Sequence, residues 1–227
     1  MNDSFLKPLF RSVPQTDWVL IVIAITSVIY IISRLLFPRY HTRIAYAFFN
    51  RYEAIKLIEE KNVLFGRAGF LLNFVPTFCI ALLVFEQIGY LRPEILFVNP
   101  FLRFLGILVL VWIYFGGRIL WIFVFGHSFE QKEVALRFNQ IWLLQFENLG
   151  TFILIPALAL PFASGIIKVL AFVILWLMVA LWYLYTITRE LELLKSYRVS
   201  IFYMFLYLCN LEILPLWWAI QSIINGW

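Results

Sequence analysis

The chain has 227 residues, of which 63% are hydrophobic and 14% are charged, and its mean hydropathy is +0.90. Soluble domains are about 45–50% apolar and about 25% charged, so this composition excludes a soluble globular protein and predicts a chain largely in contact with lipid. The net charge of +5 does not indicate a nucleic-acid partner, because the basic residues flank apolar segments, as in membrane proteins that follow the positive-inside rule.

Apolar segments recur along the chain, and about 20 residues of helix are enough to cross the hydrocarbon core of a bilayer. We predict an all-α fold, a polytopic transmembrane helical bundle of about six spans, formed by a single integral membrane domain over 1–227. After a short extracytoplasmic N-terminus at 1–17, the spans are expected at about 18–37, 68–89, 101–125, 139–162, 166–188 and 200–224. We expect no cleavable signal peptide, because the first apolar run is longer than the apolar region of such a peptide.

The segment 40–66, between the first two spans, carries too many charges to cross a membrane. Its stretch RYEAIKLIEEKN has Tyr52, Ile55 and Ile58 at helical spacing, which predicts an amphipathic interfacial helix with these residues on its apolar face. The alternative is a docking surface for a partner protein.

The fourth segment, 139–162, is open to two interpretations because Gly150 and Pro156 interrupt it. We favour a complete span over an interfacial helix followed by a short re-entrant piece. With six spans, most of the 18 lysine and arginine residues belong to the first, third and fifth loops. The positive-inside rule then predicts that these loops are cytoplasmic and that both termini are periplasmic. A re-entrant fourth segment would turn the C-terminus inward.

The last span carries Asn210, Glu212 and Pro215 near its midpoint. An ionisable group at that depth costs a few kcal/mol or more, which makes it a functional-site hypothesis by default. Pro215 has no N–H and is predicted to kink the helix. Because these groups must be satisfied by other parts of the protein, we expect this helix to lie inside the bundle with the other spans around it.

Arg118 in the third span is the predicted partner of Glu212. The two residues lie roughly 12 Å and 18 Å from the cytoplasmic face at about 1.5 Å per residue, and their side chains lean toward each other because the two helices are antiparallel. The pair is either a proton- or ion-coupled site or a structural contact that fixes which helices meet. The complete candidate polar site consists of Glu212, Asn210, Arg118, Glu147, Asn148 and Asn73.

Enzyme and metal motifs are missing from the sequence. It contains no HExxH, GxSxG or P-loop motif, its acidic residues are scattered, and its two cysteines and two histidines show no ligand spacing. We therefore predict no catalytic residue, no metal and no cofactor. The lack of these motifs favours a protein that is not an enzyme.

Three runs of sequence resemble a family of Bacteroidetes membrane proteins, domain of unknown function 4271. They are FLYLCNLEILPLWWAI at 205–220, FGRAGFLLNFVP at 65–76 and QFENLGTFILIPALAL at 145–160. The resemblance covers most of residues 35–224 and leaves the first 34 residues uncovered. It implies a bacterial inner-membrane protein with several spans, and it implies no activity, cofactor or catalytic residue.

These observations together predict an accessory or scaffold subunit of an envelope complex in the inner membrane. Its partners would be the lipid bilayer and an envelope protein or a second copy of the chain. The alternative is a small proton- or ion-coupled transporter that uses Glu212 and Arg118. An enzyme acting on a lipid-linked substrate is a third and less favoured function.

Overall fold

The computed structural model describes residues 17–60, 63–91, 99–128 and 132–197, and this part of the chain confirms the predicted all-α fold. Its helices are α1 (Asp17–Leu36), α2 (Pro38–Phe49), α3 (Arg51–Glu59), α4 (Val63–Leu91), α5 (Pro100–Ser128), α6 (Lys132–Ala159) and α7 (Gly165–Ser196), with one turn of 3-10 helix at Leu160–Phe162. Five of them, α1, α4, α5, α6 and α7, are long and apolar enough to cross a membrane, as in a multi-pass membrane protein. The predicted span 200–224 lies outside the described residues.

The long helices alternate in direction along the chain. Side-chain contacts between their ends show which helix ends lie together. Trp18 at the start of α1 packs edge-on against Phe85 near the end of α4, with ring centroids 5.1 Å apart. Arg137 on α6 bonds to Glu59 of α3 at 3.0 Å. Helices α2 and α3, the start of α6 and the end of α7 therefore lie together, at what we call the α2–α3 end.

Helices α4 and α6 occupy the centre of the described bundle and run parallel to each other. They touch where Pro76 of α4 meets Gly150 of α6: a Cβ atom added to Gly150 would lie 2.5 Å from Pro76 Cδ and 2.9 Å from its backbone nitrogen. A small residue allows two helix backbones to approach this closely. The exposed side chains of α1, α5 and α7 are mostly apolar, which suits contact with lipid.

The fourth predicted segment belongs to one continuous helix, as expected for a complete span. Helix α6 continues without a break from Lys132 through Gly150 to Ala159, so it begins before the predicted start at 139. The added turns are helical because Val134 and Ala135 still pack in a buried apolar cluster with Leu193 and Leu194 of α7. For the same reason α7 extends beyond 188, through a segment that the sequence analysis placed in a charged loop.

The predicted interfacial segment forms two helices, α2 and α3, and how they meet a membrane stays a prediction. Asn50 has an extended backbone between α2 and α3, and its side-chain oxygen accepts a hydrogen bond from the Tyr52 N–H at 3.0 Å, which caps α3. Helix α3 buries Ala54 and Leu57, whereas Tyr52 is 71% exposed. Packing against α6 determines which face of this short helix is buried. The spacing of apolar residues in the sequence does not indicate that contact.

Candidate functional site

A buried carboxylate in the centre of the bundle is the first element of the site. Glu147 lies about halfway along α6 and is 3% exposed. The Tyr40 hydroxyl of α2 donates a hydrogen bond to its Oε2 at 2.9 Å, and Asn73 Nδ2 of α4 donates to its Oε1 at 3.4 Å. Three helices that are distant in sequence therefore meet at one carboxyl group.

Gly69 makes room for this contact. A Cβ atom added at position 69 would lie 2.7 Å from Glu147 Oε1 and 2.9 Å from the Tyr40 hydroxyl oxygen. Both distances are shorter than ordinary van der Waals contact, so a side chain at this position would displace the two polar groups. Gly69, the second glycine in the run FGRAGFLLNFVP, thus allows α2, α4 and α6 to converge on the carboxylate.

Asn148, the next residue on α6, has a structural role. Its Nδ2 donates to the backbone oxygen of Ile44 in α2 at 3.2 Å and to that of Leu144 at 3.0 Å. This side chain ties α2 to α6 and thereby holds Tyr40 over the Glu147 carboxylate.

A cavity of about 370 Å³ adjoins the Glu147 carboxylate. Glu147, Tyr40, Asn73 and Gln140 supply its polar groups. The apolar part of the wall comes from Leu57, Ile58, Phe70, Leu143 and Leu144. Gln140 and Gly66 are exposed and lie nearer the α2–α3 end than Glu147, so the cavity extends from the carboxylate toward that end.

The charge of Glu147 has no protein counter-ion among the described residues. The carboxylate forms no salt bridge with any of them, and Tyr40 is the only other titratable group among the described residues that line the cavity. Burial, and then the adjacent Glu147 carboxylate, raise the pKa of Tyr40 above its ordinary value of 10.0, so this hydroxyl stays a neutral donor. Within the part of the chain that the structure describes, no basic side chain compensates a charge on Glu147, and a proton or a bound cation would do so.

A second buried polar contact links α5, α6 and α7. Arg118 Nη2 donates to Glu190 Oε1 at 2.8 Å, and both side chains are almost fully buried. The Arg118 guanidinium also lies 4.4 Å from the centre of the Trp142 ring, a cation–π contact. This pair lies on the α5 and α7 side of α6, whereas Glu147 faces α2 and α4.

The structure brings together part of the predicted polar site. Glu147 and Asn73 meet directly and Asn148 supports them, but Arg118 belongs to the other contact. The bond to Glu190 gives Arg118 an acidic partner that the sequence analysis had assigned to a cytoplasmic loop. Asn210, Glu212 and Pro215 lie outside the described residues, so the Arg118–Glu212 pair stays a prediction.

Sequence reasoning missed Tyr40, Gly69 and Glu190. Tyr40 stands among charged residues of the presumed interfacial segment, and nothing in its neighbourhood indicates a contact with a carboxylate more than one hundred residues away. For Gly69 a signal existed, since it lies one turn before Asn73 on an apolar helix and small residues mark close contacts.

Comparison with known proteins assigns the family. The model of a domain of unknown function, DUF4271, matches residues 19–223. The chain belongs to this family. The DUF4271 match begins in α1, so the expectation that the first 34 residues would be uncovered is wrong for residues 19–34. The match includes Glu147, Arg118 and positions 210–215. No curated protein and no solved structure matches the chain.

Proposed function

We propose that this multi-pass membrane protein is a cation-coupled carrier, or the carrier subunit of an envelope complex, in which Glu147 is the cation-binding group. The observation that supports it is a carboxylate that is 3% exposed, adjoins a cavity of about 370 Å³ and has no salt bridge within the described chain. A charge buried in this way is costly unless it is neutralised, so its retention favours a functional role.

The position of the cavity suits a carrier. It lies between α4 and α6 at the centre of the bundle and extends toward the α2–α3 end, so a cation could reach Glu147 from that end. The α2–α3 end also carries most of the basic residues, which by the positive-inside rule corresponds to the cytoplasm of a bacterial inner membrane. In this orientation the N-terminus is periplasmic, and so is the C-terminus if 200–224 forms a sixth span.

Charge displacement on a solid-supported membrane tests the proposal. The purified protein is reconstituted in liposomes and exposed to concentration jumps of protons, sodium, potassium and a small set of organic ammonium ions. We expect at least one of these cations to evoke a current that Glu147→Gln abolishes. Glu133→Gln is the matched control, since Glu133 lies exposed in the first turn of the same helix. A current of wild-type size in Glu147→Gln would refute the assignment.

The accessory or scaffold role predicted from the sequence is the second candidate. It is favoured by three exposed aromatic side chains around the α2–α3 junction, Tyr46 at 66%, Phe49 at 75% and Tyr52 at 71% exposed. Aromatic residues are enriched in protein interfaces and also in membrane-interface belts. A partner protein would dock on this patch from the cytoplasmic side.

Affinity purification of the tagged chain from its own host in mild detergent tests this role. A stoichiometric envelope protein that is lost on Phe49→Ser would support docking at the junction. Tyr90→Ser, at an exposed aromatic residue near the opposite end, serves as the control. Recovery of the chain without a stoichiometric partner would count against an accessory role.

A further inference from the structure

We infer that the Glu147 cavity binds a primary ammonium group carried on a short apolar body. The inference rests on the proposed function in using Glu147 as the cation-binding group, and it goes further by naming the class of cation. It follows from the acceptors around the carboxylate, the apolar wall facing them and the volume between the two.

The polar end of the cavity is rich in hydrogen-bond acceptors. From the residues that the structure describes, Oε1 of Glu147 accepts only a long hydrogen bond of 3.4 Å from Asn73. Its Oε2 accepts a hydrogen bond from the Tyr40 hydroxyl. Asn73 Oδ1 is buried and receives no hydrogen bond from any residue that the structure describes. A primary ammonium ion has three N–H donors, which supply the charge that Glu147 needs and the donor that the Asn73 amide lacks.

The opposite wall offers an apolar surface. Leu57, Ile58, Phe70, Leu143 and Leu144 line it, and no basic residue among those that the structure describes does. A water molecule occupies about 30 Å³ of liquid, so a cavity of about 370 Å³ has room for a body well beyond a bare ion. An alkyl or aryl group attached to the ammonium would cover this wall and remove its apolar surface from water.

Other ligand classes fit less well. An anion would meet the Glu147 carboxylate, and no described basic side chain on the cavity wall offsets the repulsion. A hard metal cation requires about six oxygen ligands, and the described side chains of the wall supply oxygen atoms only from Glu147, Asn73, Tyr40 and Gln140.

Binding of a matched pair of cations to the purified full-length protein in detergent tests the inference. The probes are phenethylamine and its N-trimethyl derivative, which share the body and the charge but differ in N–H donors. Isothermal titration should show tighter binding of phenethylamine by about tenfold or more. We expect Glu147→Gln to weaken that binding by a similar factor and Glu133→Gln to leave it unchanged. Asn73→Leu should remove the preference for phenethylamine.

Two further variants keep the test independent of folding defects at Glu147. Gly69→Ala projects a methyl group onto Glu147 and Tyr40 and should weaken phenethylamine binding, while Gly106→Ala, with open space around it, should not. Equal binding of the two probes, or no binding of phenethylamine, would overturn the ammonium inference. If a current from another cation still depended on Glu147, the proposed function would survive that result. Phenethylamine binding without any Glu147-dependent current would instead sustain the ammonium site and contradict the carrier.

Discussion

At the scale of single residues, the contact between Tyr40 and Glu147 depends on the lack of a side chain at Gly69. The hydroxyl and the carboxylate are 2.9 Å apart, and a methyl group at position 69 would come within 3 Å of both. Buried polar groups that lose their partner cost about 1–3 kcal/mol, so this glycine is required by its neighbours and not by its own backbone conformation.

We expect Gly69→Ala to lower the stability of the protein by about 1–3 kcal/mol, because the added methyl overpacks the site and separates Tyr40 from Glu147. Thermal unfolding in detergent measures the effect. The matched change Gly106→Ala, on α5, should be neutral or slightly stabilising, since alanine favours helix over glycine and nothing lies within 4 Å of the added atom. Equal unfolding temperatures for the two variants would contradict the packing argument.

His41, next to Tyr40, makes stability depend on pH. Its Nε2 lies 3.2 Å from the Ser33 hydroxyl, and burial, followed by the positive charge of Arg34, lowers the pKa of His41 below its ordinary value of 6.5. The unfolded chain therefore binds this proton first, so the stabilising contribution is present above pH 6.5 and is lost as the pH falls through the lowered pKa.

Unfolding temperatures recorded from about pH 7.5 to about pH 5 should accordingly fall for the wild type and fall less for His41→Gln. Glutamine keeps a hydrogen-bonding side chain near Ser33 but binds no proton in this range. If the two proteins lost stability in parallel, the acid sensitivity would have to be assigned to another group.

At the scale of helices, two contacts hold the bundle together by different means. Pro76 and Gly150 bring the backbones of α4 and α6 into contact, and this sets how far Asn73 stands from Glu147. Arg118 and Glu190 join α5 to α7 through a buried ion pair. Where two backbones are in contact, no flexible side chain can move aside to accommodate an added group. An ion pair, in contrast, stabilises the bundle only when both charged partners are present.

We expect Gly150→Ala to destabilise the protein more than Gly69→Ala does, because its methyl would collide with the Pro76 ring and backbone nitrogen instead of side-chain ends. The loss should be about 1–3 kcal/mol or more, read from thermal unfolding in detergent. Gly116→Ala on α5, where the added atom meets nothing within 4 Å, is the control and should unfold as the wild type does.

Removal of one partner of the Arg118–Glu190 pair should cost about 3–5 kcal/mol, since the other charge stays buried. Arg118→Leu and Glu190→Leu test this separately. The double variant should regain a large part of the loss, because no uncompensated charge is left. Additive losses in the double-mutant cycle would mean that the two side chains do not stabilise the fold as a pair.

At the scale of the whole molecule, charge is distributed unevenly between the two ends of the bundle. The α2–α3 end carries Arg43, Arg51, Lys56 and Arg137, among others, whereas Arg103 and Lys168 lie near the opposite end. The positive-inside rule assigns the more basic end to the cytoplasm. Because the long helices alternate, one experimentally determined end is enough to orient all described helices.

Cysteine labelling in intact cells tests this orientation. Both native cysteines are replaced by alanine, and a single cysteine is introduced at Tyr52 or at Tyr90, which are exposed near opposite ends. We expect a membrane-impermeant maleimide to label Tyr90→Cys in intact cells and Tyr52→Cys only after permeabilisation. The reverse pattern would invert the orientation and turn the Glu147 cavity toward the periplasm.

The sequence by itself determined the class of protein, its family and the approximate position of the long helices that the structure describes, though not the start of α6 or the end of α7. These properties depend on summed composition and on the length of apolar runs. Only the tertiary structure decided that Glu147 meets Tyr40 and Asn73, and that Arg118 meets Glu190. The physical reason is that α4 and α6 are apolar over most of their surface, so hydrophobic periodicity does not indicate which face meets which helix. The contact of Glu147 with Asn73 lies one turn from the point where the backbones of α4 and α6 approach most closely, at Pro76 and Gly150.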